Sequence, residues 1–165
     1  MSDQRSIDSV LVVGAGAMGS QIAMVCALSG YDVVLNDISG EALDRAVASL
    51  RSRMQRKIDK GTASPAEIDS AFARLRTTDV LDEESCEVDL VIEAAIEKLD
   101  VKRELFATLE RLAPADAILA SNSSSFVPSA IATRLDARDR FCNIHFFNPA
   151  LVMRCVEVIR GPETS

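Results

Sequence analysis

Residues 10–23 read VLVVGAGAMGSQIA, an apolar run broken by three glycines and resumed by small and apolar residues. Val10 to Val13 are β-branched or bulky and suit a strand buried on both faces, whereas Ala17 onward has the composition and spacing of a helix. A strand therefore turns into a helix at Gly14-x-Gly16-x-x-Gly19. In this pattern the first glycine permits a tight turn, the second lets a pyrophosphate approach the backbone, and the third lets the helix pack close to the strand. The helix N-terminus, with its free N–H groups and the positive end of its dipole, then faces an anion without needing a cationic side chain.

Glycine-rich turns also arise by chance, so the context decides. The helix carries Ile22, Val25, Cys26 and Leu28, Gly30 supplies a C-cap, and a second apolar strand, Tyr31 to Leu35, runs into Asn36-Asp37. A carboxylate at the end of that strand accepts hydrogen bonds from ribose hydroxyls and repels a 2′-phosphate, which favours NAD over NADP. An ordinary surface aspartate opening the next turn is the bland alternative. With strand, loop, helix and acid in order, the dinucleotide reading outweighs it.

A chain of 165 residues, 48% of them hydrophobic, suits one globular domain over residues 1–165. A formal net charge of −7 argues against broad attraction to nucleic acid or to an anionic membrane. The polar start, MSDQRSID, lacks the apolar core of a secretory signal, and no apolar run approaches a membrane span, so a cytoplasmic protein is expected. Cys26, Cys86, Cys142 and Cys155 form no CxxC pair, and His145 is the only imidazole. They read as reduced core thiols, with no metal site.

Past Asp37, Leu43, Val47, Leu50, Met54 and Ile58 recur at helical spacing and predict a helix from about Gly40 to Lys60. Ser64-Pro65-Ala66-Glu67 has the form of a capping box, so a second helix to about Leu75 completes an antiparallel helical hairpin over about 40–75. A short strand near 76–78 and an acidic loop follow, then a buried strand over Val88 to Ala94. Residues 98–112 form an amphipathic helix with Val101, Leu105, Phe106, Leu109 and Leu112 on one side, and Ala117 to Ala120 make the next strand. This order predicts an α/β fold with a doubly wound, mostly parallel Rossmann-type sheet, its ligands outside the carboxyl ends of the strands. Arg140 to Phe147 and Cys155 to Ile159 suit a hairpin-like pair at one edge.

His145 lies at the end of the first of these segments, and Glu157 follows twelve residues later, so the two strands bring imidazole and carboxylate together. Val156, Val158 and Ile159 flank the carboxylate, and burial in such a strand calls for a partner. Ser121-Asn122-Ser123-Ser124-Ser125 should emerge at the same ligand-bearing edge, positioning a substrate oxygen or simply capping a helix. No GxSxG elbow supports a serine nucleophile.

Gly14-Ala15-Gly16-Ala17-Met18-Gly19, Val91-Ile92-Glu93-Ala94-Ala95-Ile96-Glu97, Ser121-Asn122-Ser123-Ser124-Ser125 and His145-Phe146-Phe147-Asn148-Pro149 together resemble the NAD-binding domain of the 3-hydroxyacyl-CoA dehydrogenases. The resemblance spans nearly the whole chain. It implies reversible oxidation of an (S)-3-hydroxyacyl-CoA to the 3-ketoacyl-CoA in fatty acid metabolism, with hydride transfer to NAD. His145 matches the catalytic base, Glu157 the acid that orients it, Ser124 the serine that bonds the reacting oxygen, and Asn148 a residue ordering the site. By the same match Gly14, Gly16, Ala17, Met18 and Gly19 hold the cofactor, Asp37 binds adenosine ribose, and Ala95, Glu97, Lys102 and Asn122 lie along the nicotinamide half.

Ser49 and Arg56 match positions that approach coenzyme A. Arg53, Arg56, Lys57 and Lys60 make one cationic face on that helix, which a solvated surface explains equally well. The family continues into a helical second domain, absent from this chain, that closes over the acyl-CoA and forms the dimer interface. The resemblance thus implies that this chain alone is a monomer that binds NAD and turns over weakly. The alternative is an NAD-binding module with a structural or sensing role. A dehydrogenase of free 3-hydroxy acids fits less well, because those relatives place glycines after the serine segment.

Overall fold

The computed structural model describes residues 6–165; the expectation drawn from the polar amino terminus falls mostly on residues 1–5, outside the described residues. The strands are β1 (Ser9–Val13), β2 (Asp32–Asn36), β3 (Leu75–Thr78), β4 (Leu90–Glu93), β5 (Ile118–Ser121), β6 (Phe141–Phe146) and β7 (Val156–Arg160). They form one sheet in the order β3-β2-β1-β4-β5-β6-β7. The first six run parallel and β7 runs antiparallel to β6. Strand order reverses between β1 and β4, and a parallel sheet opens its ligand crevice at that switch point. The expected doubly wound sheet and edge pair are both present.

Alternation along β1 divides the interior. Val10 and Val12 face a core shared with α1 (Ala17–Leu28), α2 (Gly40–Asp59) and α3 (Pro65–Arg74), while Leu11 and Val13 face one shared with α5 (Leu99–Leu112). The helical hairpin starts as its sequence demands: the Ser39 hydroxyl accepts from the Ala42 N–H, and Ser64 and Glu67 form the reciprocal capping box. Leu43, Ala46, Leu50 and Met54 are the buried stripe of α2. The Arg51 guanidinium lies 4.4 Å over the Phe72 ring and joins the two helices.

Four expectations need correction. The acidic stretch after β3 holds a one-turn helix, α4 (Glu83–Cys86), because Asp82 and Ser85 cap each other's backbone. Helix α5 buries Lys102, Phe106 and Leu109 and leaves Val101 41% exposed, since the buried Glu93 carboxylate demands a cation more strongly than the core demands another aliphatic group. Strand β7 is exposed at all five residues, Glu157 included, because it has one neighbour, β6. Cys155 is exposed in the turn before it and is no core thiol. The other three cysteines are buried, and burial pushes the Cys26 thiol up to about 11.

Among the described residues no helix is long and apolar enough to cross a membrane. The remaining helix, α6 (Pro128–Ile131), and two short 3-10 turns, 132–134 and 138–140, lead into β6. The thiol environments predict that Ellman's reagent titrates one cysteine rapidly in the native chain and the other three only on unfolding. Protection of Cys155, measured by mass mapping of the labelled peptide, would contradict this placement.

Candidate functional site

Asn36, Val13, Glu93, Ser121 and Asn143 pair with one another across five adjacent strands, so β2, β1, β4 and β5 reach, or come within a residue of, their ends on one line, while β6 continues to Phe146. There Gly14 adopts φ +107°, and a Cβ on it would lie 2.7 Å from the Ala94 carbonyl oxygen. A Cβ on Gly19 would lie 1.8 Å from the Gly14 oxygen. Both glycines therefore serve backbone packing between β1, β4 and α1. A Cβ on Gly16 would meet nothing within 4 Å, so this residue faces the open crevice.

Helix α1 begins at Ala17 with no side chain capping its N-terminus, which leaves its first N–H groups directed at the crevice. The Asp37 carboxylate accepts from the Ala15 N–H at 2.8 Å and from the Ser39 N–H at 3.0 Å, tying the glycine loop to the end of β2. A groove of about 560 Å³ opens beside it, lined by Gly16, Asp37, Ile38, Ala95, Val101 and Leu105. An anion site on a helix terminus, a carboxylate for ribose hydroxyls and apolar walls for a base fit a dinucleotide. Val101, misplaced in the core by periodicity, is one of those walls.

The next two strands end in a buried polar network. Glu93 is 0% exposed and accepts from the Ala95 N–H at 2.7 Å, from the Ser121 hydroxyl at 2.7 Å and from Lys102 Nζ at 2.7 and 2.9 Å. Lys102, itself 1% exposed, also reaches Glu97 Oε2 at 3.0 Å. Glu97 in turn accepts from the Ser123 hydroxyl and from the Ser125 N–H. Burial raises the Glu97 carboxyl, but the Ser123 hydroxyl and the Lys102 ammonium outweigh it and hold the group below the ordinary carboxylate range. Lys102, expected along the cofactor, is thus buried and bonds outward through Glu97, and neither residue lines the groove beside Asp37. Sequence reasoning missed Glu93, whose one signal is an acid closing an otherwise apolar strand.

His145 stands near the carboxyl end of β6, two residues past the Ser121–Asn143 pair, and is directly opposite Glu157 in the β6–β7 register. Its Nδ1 lies 3.0 Å from Glu157 Oε2. The carboxylate occupies Nδ1 and leaves Nε2 outside the contact. The ring is one-fifth exposed and packs 4.9 Å from Phe147. Although Glu157 is more than half exposed, and its predicted burial fails, the pairing across the ladder holds.

The serine segment is stapled to β6 at both ends. Asn122 Oδ1 accepts from the Phe146 N–H at 2.8 Å, and Asn143 donates from Nδ2 to the Phe126 carbonyl at 2.8 Å. Ser124 lies exposed between these staples, and Asn148 lies exposed before a cis peptide bond to Pro149. Ser49 lines the α2 side of the glycine loop with Gly16 and Ser20. Arg56 is exposed farther along the same helix.

The family profile for the NAD-binding domain of 3-hydroxyacyl-CoA dehydrogenase matches residues 9–165. A probable 3-hydroxyacyl-CoA dehydrogenase of Caenorhabditis elegans is 40% identical over 98% of this chain and 55% of its own length. A 3-hydroxybutyryl-CoA dehydrogenase of Bradyrhizobium diazoefficiens is 40% identical over 96% of this chain and 54% of its own. The crystal structure of (S)-3-hydroxybutyryl-CoA dehydrogenase from Ralstonia eutropha superposes with a TM-score of 0.92 at 40% identity, over 97% of this chain and 56% of that one. The chain thus spans about half the length of these relatives.

The glycine geometry predicts opposite outcomes for one substitution. Gly16→Ala should leave Tm unchanged and weaken NADH binding by at least about tenfold. Gly19→Ala should cost about 3 kcal/mol, a fall in Tm of roughly 6–12 °C for a chain of this size. Thermal melts and NADH fluorescence titration read both, and equal Tm losses would contradict the assignment of Gly16 to the crevice.

Proposed function

Because the chain belongs to the 3-hydroxyacyl-CoA dehydrogenase family, of which it is the NAD-binding domain, we propose that it carries the cofactor site and the catalytic His-Glu pair of an enzyme interconverting (S)-3-hydroxyacyl-CoA and 3-ketoacyl-CoA. The observation that carries this reading is the His145–Glu157 contact at 3.0 Å on the sheet edge that also bears Gly16 and Asp37. A base and a dinucleotide groove at the same end of one sheet support alcohol oxidation, which needs the two to act on one bound substrate.

Gly16, Ala17, Met18 and Gly19 present backbone to the pyrophosphate, and Asp37 meets the adenosine ribose. Ala95, Glu97 and Asn122, beyond the ends of β4 and β5, meet the nicotinamide half. Bound there, NAD supplies the hydride acceptor. His145 Nε2 takes the proton of the substrate hydroxyl, while Glu157 keeps the ring oriented and stabilises the imidazolium that forms. Ser124 donates to the reacting oxygen and Asn148 orders the surrounding turn. In the reverse direction the same imidazolium returns its proton to the alkoxide. Ser49 and Arg56, on the helix beside the crevice, meet the polar and phosphate groups of coenzyme A.

The test is NADH formation from 3-hydroxybutyryl-CoA and NAD, followed by absorbance. Removal of the base in His145→Ala should lower the rate by about 10²–10⁴-fold. Glu157→Gln should lower it by roughly 10–100-fold, as loss of a group that orients another does. Equal rates for the wild-type chain and His145→Ala would leave cofactor binding as the role of this chain.

A further inference from the structure

The catalytic reading leaves one charged group unused: Glu93, fully buried at the end of β4 and bonded to Lys102, Ser121 and the Ala95 N–H. A buried ion pair is a poor stabiliser in itself, since apolar residues of similar volume commonly do as well or better. Its placement therefore needs another explanation. Every group that Glu93 accepts from lies at the end of the sheet where the crevice opens. Ala95 begins the loop after β4, Ser121 ends β5, and Lys102 sits in the first turn of α5.

From Lys102 the bonding continues outward through Glu97 to the Ser123 hydroxyl and the Ser125 N–H, the residues on either side of Ser124. Ser123 is closed in turn by its own N–H on the Ser121 hydroxyl at 3.2 Å. The network thus encloses the loop after β4, the start of α5 and the loop after β5. Asp37 and the glycine loop fix the adenosine side of the crevice over β2 and β1, so the nicotinamide side must extend across β4 and β5 towards His145 on β6. The network lies beneath that half and makes no bond to the other.

We infer that Glu93 is the positioning residue of the nicotinamide half of the groove, holding Lys102, Glu97 and the Ser121–Ser125 loop in register so that Ala95, Asn122 and Ser124 present fixed groups to the ring. It touches neither cofactor nor substrate and acts through Lys102 and Ser121. The inference rests on the dinucleotide reading, and the experiment separates the two by using a ligand that lacks the nicotinamide.

Binding of NADH and of ADP-ribose to the whole chain is measured by fluorescence and calorimetry for wild type, Glu93→Gln, Ser123→Ala and the double variant Glu93→Gln/Lys102→Met. The double variant leaves no unpaired buried charge and keeps the test valid where Glu93→Gln fails to fold. NADH affinity should fall by about tenfold in the Glu93 variants and about threefold in Ser123→Ala, with ADP-ribose affinity within about twofold of wild type throughout. A purely structural role would weaken both ligands together, or neither, and either result would overturn the assignment. Failure of the wild-type chain to bind ADP-ribose would overturn the dinucleotide reading and this inference with it.

Discussion

The crevice exists because backbone meets backbone where β1, α1 and the loop after β4 converge. Gly14 and Gly19 let these three segments approach to distances that any side chain would forbid, and the Ala94 N–H donates to the Val13 oxygen at 2.8 Å just beneath them. Once that approach is made, the N-terminus of α1 lies over the point where strand order reverses. Gly16 is then the residue with room above it. Asp37 closes the arrangement by accepting the Ala15 N–H, so the loop is organised by a group that also lines the groove.

Two kinds of polar order then divide the edge of the sheet. On the β2 and β1 side, backbone N–H groups form an anion cradle that depends on chain path rather than on side-chain charge, with the Asp37 carboxylate tying the loop beside it. On the β4, β5 and β6 side, orientation comes from side chains: the buried Glu93–Lys102–Glu97 network, and the two asparagine staples from Asn122 and Asn143 that bind the serine segment to β6. A reacting group needs tighter placement than a phosphate does, and the second region is accordingly the more heavily cross-linked. The imidazole stands at the far end of this cross-linked region.

Hydropathy and spacing made the sheet legible because a parallel sheet buries both faces and writes its strands as continuous apolar runs, as in Val10 to Val13. The pairing of His145 with Glu157 was legible too, because a tight antiparallel return leaves few registers. The failures share one cause: hydropathy ignores pairing. Val101 counted as a core residue while periodicity gave its neighbour Lys102 no place in the core, although the two differ in direction by only one step around the helix. Their true placement follows from Glu93, a carboxylate on another element. Burial of Glu157 was inferred from its valine neighbours, but an edge strand leaves Val158 65% exposed. Ser124 and Asn148 entered through resemblance, since exposed loop residues carry no periodic signal.

The exposed edge places the two halves of the His145–Glu157 pair under unequal protection. His145 belongs to β6, held between two strands, whereas Glu157 rides on β7, which has β6 alone as its neighbour. Peripheral strands open at lower free energy than central ones, so the β6–β7 ladder should part well before the glycine loop does. Under mild destabilisation the glycine loop would therefore keep its shape while the imidazole loses its anchor: the groove outlasts the pairing.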